Sequence, residues 1–137
     1  MLIFSLGCRS SPSDADRATA VVNRMMAARQ ANELDRACDF YAPMFYRKTR
    51  REDWKATLVM FPRRLGPLQT WTVVDAKVSK EAGDAGLGPV VALQVKSTYA
   101  RFEATEALIL CRPSGAADFL ILGHTIASPG LQPEEDP

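Results

Sequence analysis

The sequence predicts an α+β domain, with three N-terminal helices packed on a curved, four-stranded antiparallel sheet. Apolar residues recur at helical spacing through the first half of the chain, and strand-like alternation rich in β-branched residues takes over after Pro62. Helices grouped first and strands grouped second is the α+β order. No internal repeat and no second compositional block follows. At 137 residues the chain is one domain with room for a real hydrophobic core.

Residues 9–14 read as a short polar tether, and the domain proper as 15–128. Ser13 with Asp16 three residues on matches a capping box, and the helix that follows is expected to run to about Ala31. It sets Ala18, Val21, Val22, Met25 and Ala28 on one stripe and leaves Arg17, Arg24 and Gln30 outside. Asn32 is a left-handed stop. A second, shorter helix aligns Leu34, Ala37, Cys38 and Tyr41 and ends at Pro43. In "KTRREDWKATLVMFP", Thr49 and Glu52 form a second capping box, Trp54, Leu58 and Phe61 share a face, and Pro62 blocks continuation.

Four strands are expected after that point. "LQTWTVVDAKVS" is β-branched, and "GDAGLGP" is a loop or hairpin connection. "VVALQVKSTYA" alternates, with Val91, Leu93, Val95 and Tyr99 on one face and Gln94, Lys96 and Thr98 on the other. "RFEATEALILC" continues the sheet, "RPSGAAD" turns, and "FLILGHTIA" is the last strand. The Pro-rich, acidic segment 129–137 reads as a disordered tail.

Seventeen basic residues against sixteen acidic ones leave a formal charge of +1, which gives nucleic acid no electrostatic reason to bind. The basic run Arg47, Lys48, Arg50 and Arg51 is followed at once by Glu52 and Asp53, a self-compensated helix start. No stretch approaches the roughly 18 apolar residues of a spanning helix. The start "MLIFSLGCRSSPSD" has the tail of an apolar export core, a small residue at Gly7, then Cys8 and an abrupt polar turn; the basic region of a complete signal is missing. Residues 1–8 resemble the lipobox of bacterial lipoproteins, with Ser5 and Leu6 departing from the preferred order. That resemblance implies lipidation at Cys8, a membrane attachment through that lipid and a place in the bacterial cell envelope. The alternative is a mildly apolar N-terminus on a cytoplasmic chain.

The order of parts, helices followed by a long meander, is similar to the nuclear transport factor 2-like cone, also called the ketosteroid-isomerase-like fold. "DWKATLVMFPRRLGPLQTWTV" resembles the Trp-bearing helix and "LG" turn of uncharacterised lipoprotein-type domains of that superfamily. "FEATEALILCRPSGAADFLILGHTI" resembles their last hairpin, with His124 standing where Tyr is usual. The superfamily hosts isomerases and dehydratases as well as domains without chemistry, so the fold alone implies no function.

An enzyme on such a cone needs a carboxylate or His base in an apolar pocket, paired with a donor such as Tyr. The candidate pocket residues are Tyr46, Tyr99, Glu106 and His124, with Asp39 and Tyr41 also weighed. Glu106 interrupts the apolar alternation on its strand and shares a face with Leu108 and Leu110. It reads either as an inward acid or as a strand-end Glu paired to Arg101 or Arg47. His124, flanked on its face by Leu122 and Ile126, reads as a hydrogen-bonded rim or core residue rather than a base. Tyr46 and Tyr99 fit a pocket lining or core filling. One His and no Cys-x-x-Cys leave too few ligands for a metal, and no Gly-rich loop opens a helix for a nucleotide, so no metal or cofactor is expected. With Cys8 lipidated, Cys38 and Cys111 remain either as a disulfide across a long loop or as two buried thiols.

No convergent catalytic set emerges. The leading expectation is a non-catalytic envelope domain that binds a small apolar ligand or a protein partner in or on its sheet, with no enzyme activity. The alternative is an isomerase or dehydratase using Glu106 or His124 with a Tyr. A homodimer built on the sheet's outer face is compatible with the first.

Overall fold

A computed structural model describes residues 13–79 and 88–132. Four helices precede four strands: α1 (Asp14–Gln30), α2 (Leu34–Cys38), α3 (Phe45–Lys48), α4 (Arg51–Leu65), β1 (Leu68–Ser79), β2 (Val90–Tyr99), β3 (Glu103–Cys111) and β4 (Leu120–Ala127). The strands form an open antiparallel sheet in the order β1-β2-β3-β4, so the fold is α+β.

The helix boundaries follow local chemistry. Ser13 caps α1 by accepting a hydrogen bond from the Asp16 N–H at 3.1 Å, which satisfies one of the donors a helix start leaves over. Asn32 takes φ +60° and stops the chain after α1. Three helices were expected and four are present, because Phe45–Lys48 forms its own turn between Pro43 and the long helix. That turn removes the second capping box. Thr49 is the extended residue that ends α3, and α4 starts after Arg50 with no side-chain cap. Pro62 does not end α4 either. The helix continues through it to Leu65, which is fully buried, and stops at Gly66. Gly66 has φ +88°, and a Cβ there would lie 2.8 Å from the Ala100 Cβ, so only glycine fits this crossing.

Buried residues of α1, α2 and α4 join the inward residues of β2 and β3 in one hydrophobic core, with Phe119 and Ile121 at the entry to β4. Alternation along β2 buries Val91, Leu93, Val95, Ser97 and Tyr99 and exposes Ala92, Gln94 and Lys96. On β3 it buries Ala104, Glu106, Leu108 and Leu110. Glu106 faces Val95, and Leu108 faces His124. A register shift at Ile109/Leu110 gives β4 one extra residue, so Ile121 and not Leu122 shares the inward face with His124. Leu122 instead lines a groove of about 430 Å³ on the other face, beside Ile109, Gly123 and Met44.

Residues 129–132 do not belong to a disordered tail. Pro129–Leu131 forms a short 3-10 helix, Leu131 packs on the core, and the Ser128 hydroxyl donates to the Glu103 carbonyl at 2.7 Å. Of the two readings for Cys38 and Cys111, the structure has the two buried thiols: both are free and buried, with no bridge between them. Each fills its own packing position, Cys38 in the α2 stripe and Cys111 between Val90 and Leu120, and burial pushes both thiols up in pKa. Cys8, the lipobox, most of the tether, most of the "GDAGLGP" connection and residues 133–137 lie outside the described residues.

Candidate functional site

Four elements and the segment after α2 bring six polar side chains together inside the core. α1 contributes Arg29; it stands seven residues after Val22 and four after Met25, on the buried stripe of the helix. β2 contributes Ser97 and Tyr99, two apart on the inward face, and β3 contributes Glu106. β4 contributes His124. The sixth, Tyr41, is held beside β4 by a parallel bridge to Ile121, in which the Ala42 N–H donates to the Ile121 carbonyl at 2.8 Å.

Glu106 is the hub, with no exposed surface. Its Oε1 accepts from Arg29 Nη1 at 3.0 Å and from His124 Nε2 at 2.7 Å. Its Oε2 accepts from the Ser97 hydroxyl at 2.6 Å and the Tyr99 hydroxyl at 3.0 Å. A carboxylate offers about four lone-pair sites, so these four donors occupy it completely. Burial alone would raise the Glu106 pKa; the Arg29 charge, with the hydrogen bonds from His124 and Ser97, outweighs it and holds the carboxyl well below the usual range. Glu106 is therefore an ionised anchor with no lone pair left to take a substrate proton.

The partners are ordered around it. Arg29 Nη2 donates to the Tyr99 oxygen at 2.6 Å, and Nη1 also reaches Met26 Sδ at 3.3 Å. The guanidinium lies over the Phe61 ring at 5.4 Å and the Tyr99 ring at 5.9 Å. Burial opposes its charge, but Glu106 and Tyr99 more than compensate and the pKa moves up. Nε2 of His124 donates to the ionised carboxylate, and its Nδ1 is hydrogen-bonded to the Tyr41 hydroxyl at 2.8 Å. Tyr41 and Tyr99 are both shifted up by burial, Tyr99 to about 12. Trp54 packs on Tyr41 and His124, and its buried Nε1–H has no partner among the described residues.

Of the four expected pocket residues, the structure brings Tyr99, Glu106 and His124 together and leaves Tyr46 out. Tyr46 donates to the Cys38 carbonyl and packs on Phe45. Glu106 pairs with neither Arg101 nor Arg47, since the inward face of β3 points it at α1. Asp39 is exposed and paired with Arg51 at 2.7 Å. Arg29 and Ser97 were missed. Their positions carried the signal, Arg29 on the apolar stripe of α1 and Ser97 between Val95 and Tyr99 on one strand face.

A cavity of about 220 Å³ adjoins the network where the end of α1, the start of α2, the last turn of α4 and the start of β1 meet. Leu34, Leu58, Pro62, Pro67 and Leu68 give it apolar walls, Arg29 and Tyr99 give it a buried polar end, and the exposed Gln30 and Asn32 complete the lining. Glu106 and His124 do not line it. Among the described residues no group of three His, Cys, Asp or Glu side chains is arranged to hold a metal ion. Comparison with protein-family models, curated proteins and solved structures returned no match to this chain.

Proposed function

We propose that this is a non-catalytic domain that binds a small, largely apolar molecule in the cavity beside Arg29 and Tyr99. The carrying observation is the cavity itself: five apolar side chains line about 220 Å³, with Arg29 and Tyr99 at a buried polar end and the exposed amides Gln30 and Asn32 beside it, a mostly apolar lining with a few polar groups as in small-molecule sites. At interior packing density that volume holds about nine non-hydrogen atoms. The alternative of an isomerase or dehydratase has one feature in its favour, the hydroxyl–imidazole–carboxylate order of Tyr41, His124 and Glu106. It lacks a base, because Glu106 is saturated and His124 is bonded at both nitrogens.

The setting belongs to the same proposal. The order of helices and meander supports a nuclear transport factor 2-like cone, with the helices laid on the sheet. "LIFSLGC" supports a lipid anchor at Cys8 and an envelope location. Intact mass of the native protein checks the anchor: a diacylglycerol adduct at Cys8 is expected, and an unmodified chain starting at Met1 contradicts it.

The cavity is tested by methyl NMR during titration with acetophenone, a probe of about nine non-hydrogen atoms. Saturable shifts at Leu34, Leu58 and Leu68 are expected, and they should vanish in a folded Leu34→Trp variant that fills the space. Failure of every uncharged probe of this size to give saturable shifts overturns the reading.

A further inference from the structure

The chemistry of the cavity's polar end narrows the ligand further, an inference that rests on the cavity being a binding site. A guanidinium has five N–H donors. Three bonds to Met26, Glu106 and Tyr99 use three of them, and the remaining two find no partner among the described residues. Arg29 lines the cavity, so its buried polar end presents donors and asks for an acceptor; the other polar lining residues, Gln30 and Asn32, are exposed and satisfied by solvent. The Tyr99 hydroxyl is already committed, donating to Glu106 and accepting from Arg29.

Charge decides which kind of acceptor. Arg29 is already balanced by the ionised Glu106 across a 3.0 Å contact, with side chains 3% and 0% exposed. A carboxylate ligand would add a second negative charge to this buried, neutral pair, and nothing else lining the cavity is cationic to offset it. A cationic ligand would meet the guanidinium directly. A neutral acceptor takes the free N–H groups without disturbing the balance.

We infer that the cavity selects small apolar molecules carrying one uncharged hydrogen-bond acceptor, of the carbonyl class of ketones, esters and amides, with the oxygen on Arg29. Selectivity comes from leaving Arg29 donors unpaired when an acceptor is missing. The Leu and Pro walls place the apolar body and do not discriminate among bodies of equal size.

Three probes of equal size separate the terms: acetophenone, its alkene isostere α-methylstyrene, and benzoate. Their affinities for the full chain are compared by NMR titration or calorimetry, with the Arg29 Nε–Hε resonance followed in the same samples. Acetophenone is expected to bind about tenfold more tightly than both others, the value of one hydrogen bond to a charged group, and to be the one probe that moves the Arg29 signal. Equal binding of acetophenone and α-methylstyrene overturns the acceptor inference while leaving the cavity reading intact. Tightest binding by benzoate overturns the charge-balance argument. If none of the three binds, the cavity reading itself fails.

Discussion

Replacing Glu106 by Gln removes one charge and almost no volume, which isolates the ion pair from the packing around it. Arg29 would then stay buried with no counter-charge, and breaking one side of a buried pair costs about 3–5 kcal/mol. Urea unfolding of Glu106→Gln should show that loss; a loss below about 1 kcal/mol would mean that Arg29 is compensated elsewhere. Part of this residue-level picture is readable in the sequence. The alternation of "FEATEALIL" put Glu106 on an apolar face, and the period of β2 put Tyr99 on the matching one. The partner was not readable, because pairing α1 with β3 joins residues 77 apart and nothing local specifies such a contact. The face of Leu122 was misjudged for a related reason: a one-residue bulge reverses the alternation and leaves no mark in composition.

At the scale of the element, two sequence patterns that look alike behave differently. Ser13 and Thr49 each precede an acidic residue by three, yet the Ser13 side chain caps a helix and the Thr49 side chain does not. Ser13→Ala should cost about 1 kcal/mol and Thr49→Ala close to nothing, measured by thermal or urea unfolding. Equal losses would contradict the assigned start of α4. Gly66→Ala should cost more than about 1 kcal/mol, since it strains a positive φ and presses on Ala100; an unchanged midpoint would mean the turn has room to relax. The strands were legible almost to the residue, because alternation and turn residues mark both ends. The third helix was not, because a four-residue turn has no period to detect.

Across the whole molecule, the same network sets a pH window. Glu106 is held below its ordinary value of 4.5, so its contribution to stability is full above that pH and declines as the pH falls below it. Tyr41, Tyr46 and Tyr99, all three tyrosines of the chain, are pushed above their ordinary value of 10.0 by burial. Their contribution is full below pH 10 and declines above it, when the unfolded chain ionises and the folded one does not. Unfolding free energy should therefore be flat between these limits and fall outside them. Phenolate absorbance in an alkaline titration should rise mainly together with unfolding, and ionisation of Tyr41 or Tyr99 in the folded protein would contradict the buried network. The claim on which the non-catalytic reading depends is that Glu106 is a saturated, permanently ionised carboxylate rather than a poised base. Carboxyl ¹³C NMR of glutamate-labelled protein, assigned with Glu106→Gln, tests it directly. The Glu106 signal should keep its ionised position as the pH is lowered through about 4.3, the ordinary value of a free glutamate. A Glu106 signal that titrates at that pH or above it would contradict the account.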